Sequence, residues 1–244
     1  MKTSIFLAVM ATFLLLTSVS RKPEVLSRER YGTDNHGTSL TIKFERGKFH
    51  NHPLFAIWLA DENGHFIETL YVSQTIGKGV FPRVNRKAGM WMAGEIQRPA
   101  ALPYWAHQRG KINEYGTYLP TPRHPEVDGV TGATPKASFL MELKTSQPLH
   151  GIYKVLLELN QSWDWNEYWT NDKFPKDKEY NTSSQPALVY SATINTNSGI
   201  IDDTLKPIGY SHYSGKDGSL TTDLSTLTTA LKIAKSITVT INQK

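Results

Sequence analysis

PLFAIWLADENGHFIETLYVS, residues 53–73, holds two apolar runs rich in aromatic and β-branched side chains, broken once by polar residues around Asn63-Gly64. That dipeptide tolerates the positive φ of a tight turn, so the stretch reads as a hairpin of 54–60 with 65–73. Working outward, SLTIKFE (39–45) alternates apolar and polar residues, the mark of a half-buried strand. SFLMEL (138–143) and GIYKVLLEL (151–159) alternate likewise, and PALVYSATINT (186–196) and SITVTI (236–241) read as two further strands.

Between these runs the pattern breaks. Residues 75–125 mix Gly, Pro, Arg and Trp, with a helical turn expected near 100–108; so long a connection is commonly functional or a crossover between sheets. Leu220, Leu224, Leu227 and Leu231 fall at i, i+4, i+7 and i+11, a helical stripe that Asp223 can cap, so a short helix is expected over 223–235. Many short strands with turn signals and little helix predict an all-β fold: an immunoglobulin-like β-sandwich with long irregular loops and one short C-terminal helix.

The N-terminus reads differently. Lys2, the apolar run 5–16 and the small residues Ser18 and Ser20 form the pattern of a signal peptide over 1–20. The apolar run is shorter than the roughly 20 residues needed to span a bilayer. Residues 21–37 are charged and lack a clear period, and read as an extended leader; 38–244 reads as one β-sandwich domain. An exported protein of the periplasm or cell envelope is expected. The chain has no cysteine, which excludes disulfides, thiolate metal sites and a lipidated cysteine anchor. Net charge is +5, with the basic residues scattered singly, so a nucleic-acid partner is not expected.

One short run stands apart. DGVTGAT, residues 128–134, is made of turn-forming and small residues ahead of Pro135. As local structure it is a turn with an extended exit, because a residue before proline avoids the helical region. The same run resembles the flavinylation motif of FMN-carrying envelope proteins, in which a separate flavin transferase moves FMN from FAD onto the last Thr as a phosphoester. A chance match in a chain of this length is on the order of 10⁻⁴ at average residue usage. The resemblance makes Thr134 the acceptor and places Asp128, Gly129, Thr131, Gly132 and Ala133 around it. Gly132 and Ala133 allow close approach of another enzyme, Gly129 allows the turn, and Asp128 orients the loop or helps hold the transferase's metal. The run departs from the motif's frequent continuation with a further Ser or Thr, having Pro135-Lys136-Ala137 instead.

A wider likeness covers roughly 38–242. The 53–73 run, LPYW (102–105), DGVTGATP (128–135), GIYKVLLELNQSWDWNEYW (151–169), QPALVYSATI (185–194) and LTTALKIAKSITVTI (227–241) resemble, in order, a family of predicted periplasmic proteins of unknown function. The resemblance implies a setting with flavin transferases and membrane-embedded redox proteins, and covalent FMN as cofactor, rather than a reaction of the chain's own.

Two other constellations carry candidate chemistry. Trp163, Trp165, Tyr168 and Trp169 crowd one loop; they either cap the core or form a stacking surface for an isoalloxazine ring or a sugar. Asn160, Asp164 and Asn166 in the same region offer oxygen ligands without the spacing of a calcium loop. His50 and His52 form an HxH pair beside a strand start, which would put both rings on one face, with no third ligand nearby. No hydrolase or P-loop motif is present. Two readings follow: an exported FMN carrier for electron transfer, or a sandwich binding module without cofactor in which 128–134 is only a turn.

Overall fold

The computed structural model describes residues 26–85, 92–198 and 201–241. The expected signal peptide, 1–20, lies outside the described residues. In chain order the strands are β1 (Ser27–Tyr31), β2 (Ser39–Arg46), β3 (Leu54–Asp61), β4 (Phe66–Ser73), β5 (Val80–Asn85), β6 (Met92–Glu95), β7 (Thr131–Gly132) and β8 (Phe139–Lys144). They continue with β9 (Ile152–Asn160), β10 (Leu188–Asn195), β11 (Ile201–Thr204), β12 (Lys206–Ser211), β13 (Leu220–Thr221) and β14 (Ala234–Ile241). Among the described residues three short α-helices, α1 (Gln74–Lys78), α2 (Pro103–Gln108) and α3 (Tyr180–Ser183), interrupt them. Among the described residues no helix is long and apolar enough to cross a membrane.

The fold is all-β, in two main sheets arranged as a sandwich. One has the order β1-β8-β2-β14-β11, the other β13-β12-β10-β9-β3-β4-β7, and β5 pairs with β6 as a separate ribbon. Pairing is antiparallel except for two edge strands, β1 on β8 and β7 on β4. The core between the sheets is built from inward alternation: Leu40, Ile42 and Phe44 of β2, Phe139, Met141 and Leu143 of β8, and Phe55, Ile57 and Leu59 of β3. Phe44, Phe55 and Phe139 stack within 9° of parallel at 5.0 to 6.3 Å between ring centroids, an arrangement that favours offset aromatic faces.

β3 is buried on both faces, which is why its sequence reads as a continuous apolar run and not as an alternation. Its other face, Ala56, Trp58 and Ala60, packs under a second apolar cluster that includes Leu102, Trp105 and Ala106. The irregular stretch 96–126 is thus the lid of the seven-stranded sheet, with α2 at its centre. The helical turn expected near 100–108 is α2.

The expected hairpin is the pair β3–β4, with bulges in its register. Gly64 alone takes a positive φ, +94°, while Asn63 does not. Asp61 closes the loop by accepting the backbone N–H of His65 on its side chain at 2.8 Å.

Two expectations are corrected. No helix spans 223–235: the segment is irregular, with a single 3-10 turn at Ala230–Lys232, and Ala234 already begins β14. Its leucines do not share one face. Leu220 lies in β13 and packs on the outer cluster, whereas Leu224, Leu227 and Leu231 pack on the central core. Asp223 accepts the Ser225 N–H at 2.9 Å, a turn rather than a helix cap. Five threonines in 221–229 also disfavour helix through their restricted χ1. Secondly, 21–37 is not simply a leader: β1 runs parallel to β8 in register Ser27↔Phe139 to Tyr31↔Leu143. Its alternating half-buried residues, Ser27, Glu29 and Tyr31, were masked in the sequence by the charges between them.

Candidate functional site

Residues 128–134 sit at the outer edge of the seven-stranded sheet, beside the C-terminal end of β4. Asp128–Val130 form one 3-10 turn, and the Thr131 N–H returns to the Asp128 carbonyl. Thr131 and Gly132 then extend as β7, paired Val72↔Thr131 and Ser73↔Gly132. Ala133 is exposed, Thr134 half-buried and Pro135 buried, so the chain turns inward right after the motif. A two-residue strand is what such small residues ahead of a proline sustain at a sheet edge.

The segment is tied down on every side. The Gly32 N–H donates to the Gly129 carbonyl at 2.8 Å, joining the end of β1 to the 3-10 turn. The Glu126 N–H donates to Gly77 of α1 at 2.7 Å. Lys78 donates to the Glu126 carbonyl at 2.7 Å and pairs with Asp128 at 2.6 Å, although the Asp128 side chain is 95% exposed. Behind these, Glu126 pairs with Arg109, both nearly buried. Burial lowers the Arg109 pKa, and the Glu126 charge beside it opposes that fall.

Thr131 and Thr134 have different surroundings. A Cβ on Gly77 would meet the Thr131 methyl at 2.7 Å, so Thr131 is packed against α1. Thr134 Oγ1 lies 2.8 Å from Ser73 Oγ. Ser73 is fully buried and accepts the Phe55 N–H at 3.0 Å. Tyr71, also fully buried, donates to the carbonyls of Gly132 and Ala133 at 3.1 and 3.3 Å. Burial pushes the Tyr71 phenol well above its ordinary range, so it stays protonated and a donor. Tyr31 lies over Gly132 and packs edge-on against Tyr71 at 4.8 Å; burial, then the Glu29 carboxylate, raise its phenol too.

The partner of Thr134 in this contact is thus another hydroxyl, which takes no proton from it at neutral pH. The site can present an alcohol; it cannot activate one through Ser73. For a phosphoester on Thr134 the residues fit. The acceptor stands at a sheet edge between exposed Ala133 and exposed Lys136, Ser73 offers a hydroxyl donor, Tyr71 gives its one proton to the neighbouring carbonyls, and Lys78 balances the Asp128 charge. A groove of about 410 Å³ beside the loop is lined by Gly129 and Val130 with Gly32, Phe66, Glu68 and Lys111; residues 131–134 do not line it.

Of the six residues read from the motif, the structure keeps all on one edge, but their roles divide. Gly129 and Gly132 both have ordinary φ, so neither glycine is there for a left-handed turn. Gly132 is instead a point of close approach, because a Cβ there would stand 1.8 Å from Tyr31 Oη. Sequence reasoning missed Tyr31, Tyr71, Ser73 and Lys78. Ser73, a polar residue closing an apolar run, was the one local signal.

The other constellations divide between buried and exposed residues. Trp169 is buried against Tyr180, Tyr210 and Tyr213 and donates to Thr226 at 3.2 Å, so it caps the core. Trp163, Trp165 and Tyr168 are exposed. Asn166 accepts the N–H groups of Tyr168 and Trp169 at 3.0 and 2.7 Å, and Asp164 bonds Thr229. Asn160 donates to Ser183. These polar groups brace the loop from inside. His50 and His52 do not share a strand face: both lie in the 47–53 connection, His50 edge-on to Phe44 and His52 exposed with φ +52°.

No protein-family model, curated protein or solved structure was found to match this chain.

Proposed function

We propose that this chain is an exported FMN carrier of the cell envelope, with FMN held on Thr134 by a phosphoester that a separate flavin transferase makes. The observation that carries the reading is the placement of DGVTGAT: its last threonine stands at a sheet edge with its hydroxyl seated on Ser73, while Thr131 is packed against α1. In the transfer, the Thr134 oxygen forms a bond to the FMN-side phosphorus of FAD. The phosphoanhydride bond breaks, AMP leaves, and the Thr134 proton passes to a base of the transferase. The chain presents the hydroxyl, and Tyr71 holds the carbonyls on either side of the Gly132–Ala133 bond. Once bound, the flavin supplies electron transfer, and a membrane-embedded redox protein is the expected exchange partner. The N-terminal 1–20 pattern supports export. We read the two sheets, more finely, as an immunoglobulin-like sandwich, a scaffold that carries function on its edges and loops.

A second reading, a cofactor-free binding module, is favoured by one observation: the motif also serves as a brace between β1, α1 and β4. Mass separates the two. The protein co-expressed with a flavin transferase in an exporting host should gain one FMN and turn yellow. Thr134→Ala should abolish the gain, Thr131→Ala should keep it, and Thr134→Ser should still accept. An unmodified wild-type mass, or equal FMN on folded Thr134→Ala and Thr131→Ala, would remove the carrier assignment to Thr134.

A further inference from the structure

We infer that Ser73 is a positioning residue for the Thr134 acceptor, setting which way the threonine's proton and lone pairs point when the flavin is transferred. The inference rests on the FMN-carrier reading and adds to it a residue outside the motif.

The argument is an account of protons. A serine hydroxyl has one proton and two lone pairs. The Phe55 N–H donates into Ser73 Oγ at 3.0 Å and occupies one lone pair. Ser73 is fully buried, so its own proton needs a protein partner; Thr134 Oγ1 stands at 2.8 Å, and the oxygen of the Tyr71 phenol, which meets both hydroxyls, is the other acceptor. With Ser73 donating to Thr134, the Thr134 proton is not taken up by Ser73 and is left for the Tyr71 oxygen or for an incoming base. With the hydrogen bond reversed, that proton would point into the protein and be lost to the base. The Phe55 N–H takes one of the two Ser73 lone pairs and polarises its O–H, which favours Ser73 as the donor without closing the second lone pair.

The same bond survives the reaction. A phosphoester oxygen has no proton and can only accept, and Ser73 already donates to it. Nothing around the hydroxyl has to rearrange between the free and modified chain. Tyr71 and Ser73 lie two residues apart on β4 and therefore on one face. Tyr71 fixes the carbonyls of Gly132 and Ala133, and Ser73 fixes the next side chain along. Three consecutive residues of an exposed edge are so held by two fully buried side chains of a core strand. Thr131 has no such clamp, which gives the choice between the motif's two threonines a physical basis.

The test uses the full chain with purified flavin transferase and FAD, following adduct by intact mass. Ser73→Ala should lower kcat for the carrier on the order of tenfold with little change in KM, because positioning and not docking is lost. The unmodified protein gives a second readout: χ1 couplings of Thr134 should report one rotamer in wild type and averaging in Ser73→Ala. In a Thr134→Ser background, Ser73→Ala should slow transfer more than it slows wild type, since serine lacks the β-methyl that stiffens χ1. If Ser73→Ala does not fold, Ser73→Cys, which keeps a side chain of similar shape but hydrogen-bonds weakly, should show the same kcat loss. Adduct on wild type with unchanged kcat in the serine variant would overturn the positioning role alone. A loss seen only in KM, with Thr134 still in one rotamer, would do the same. No adduct on wild type would overturn the carrier reading and this inference together.

Discussion

Tyr31 occupies the space over Gly132: a methyl on that glycine would stand 1.8 Å from Tyr31 Oη and 2.4 Å from its Cζ. The first strand of the five-stranded sheet thus closes over the edge strand of the other. Gly132→Ala must push the ring off Tyr71, and such overpacking costs about 1–3 kcal/mol. Gly129→Ala meets nothing within 4 Å and should stay within about 0.5 kcal/mol. In a Tyr31→Ala background the clash is gone, so the Gly132→Ala penalty should largely vanish. Urea unfolding of the four proteins measures this coupling, and additive penalties would argue against the contact.

That contact also marks where sequence reading stops. The 53–73 hairpin was legible because its strands are adjacent in sequence, β3 is a continuous apolar run and Asn63-Gly64 marks the turn. The site was legible only as far as the motif itself. Ser73 meets Thr134 across 61 positions, and nothing near either residue announces the other. Tyr31 was hidden by Arg28, Glu29 and Arg30, whose charges obscure an alternation that only becomes a strand when β8 lies beside it. The leucines of 220–231 misled for a related reason. Their spacing is helical, but the chain uses them to plug two different cores, and tertiary burial overrides the period.

Arg109 and Glu126 form an ion pair with side chains only 4% and 10% exposed, two residues upstream of the motif. Arg109→Ala leaves the carboxylate in a place from which water is largely excluded, with Lys111 no nearer than 4.0 Å. The expected loss is about 3–5 kcal/mol. Replacing both partners, as Arg109→Met with Glu126→Leu, should recover much of it, because no unpaired charge remains. Denaturant midpoints decide the matter; a single-variant loss under about 1 kcal/mol would mean that solvent reaches the pair.

The aromatic loop should divide sharply. Trp169→Ala opens a hole against Tyr180, Tyr210 and Tyr213 and should cost about 3–5 kcal/mol. Trp165, 45% exposed, should tolerate alanine within about 0.5 kcal/mol. Thermal unfolding of the two variants makes the comparison, and equal losses would show that Trp165 is packed as firmly as Trp169.

Glu158 provides a test by pH. It lies fully buried in β9 and accepts the N–H groups of Tyr104 and Trp105 at 3.1 and 2.7 Å, joining α2 to the sheet beneath it. Burial pushes its carboxyl up to about 7, against the opposite pull of those two donors. An unfolded glutamate titrates at its ordinary 4.5. Between these values the folded chain keeps a proton that the unfolded chain has released. Stability therefore falls as pH rises from about 4.5 to about 7, by on the order of 3 kcal/mol for this group, and levels off above. Asp164 and Glu179 are raised by burial as well and act in the same sense. Glu158→Gln isolates the one contribution, because it removes the titration and leaves theirs. Urea unfolding at about pH 5 and about pH 8 should show a clearly steeper decline in wild type than in Glu158→Gln. Parallel declines would mean that Glu158 ionises at its ordinary pH, and that α2 moves enough to let water reach it.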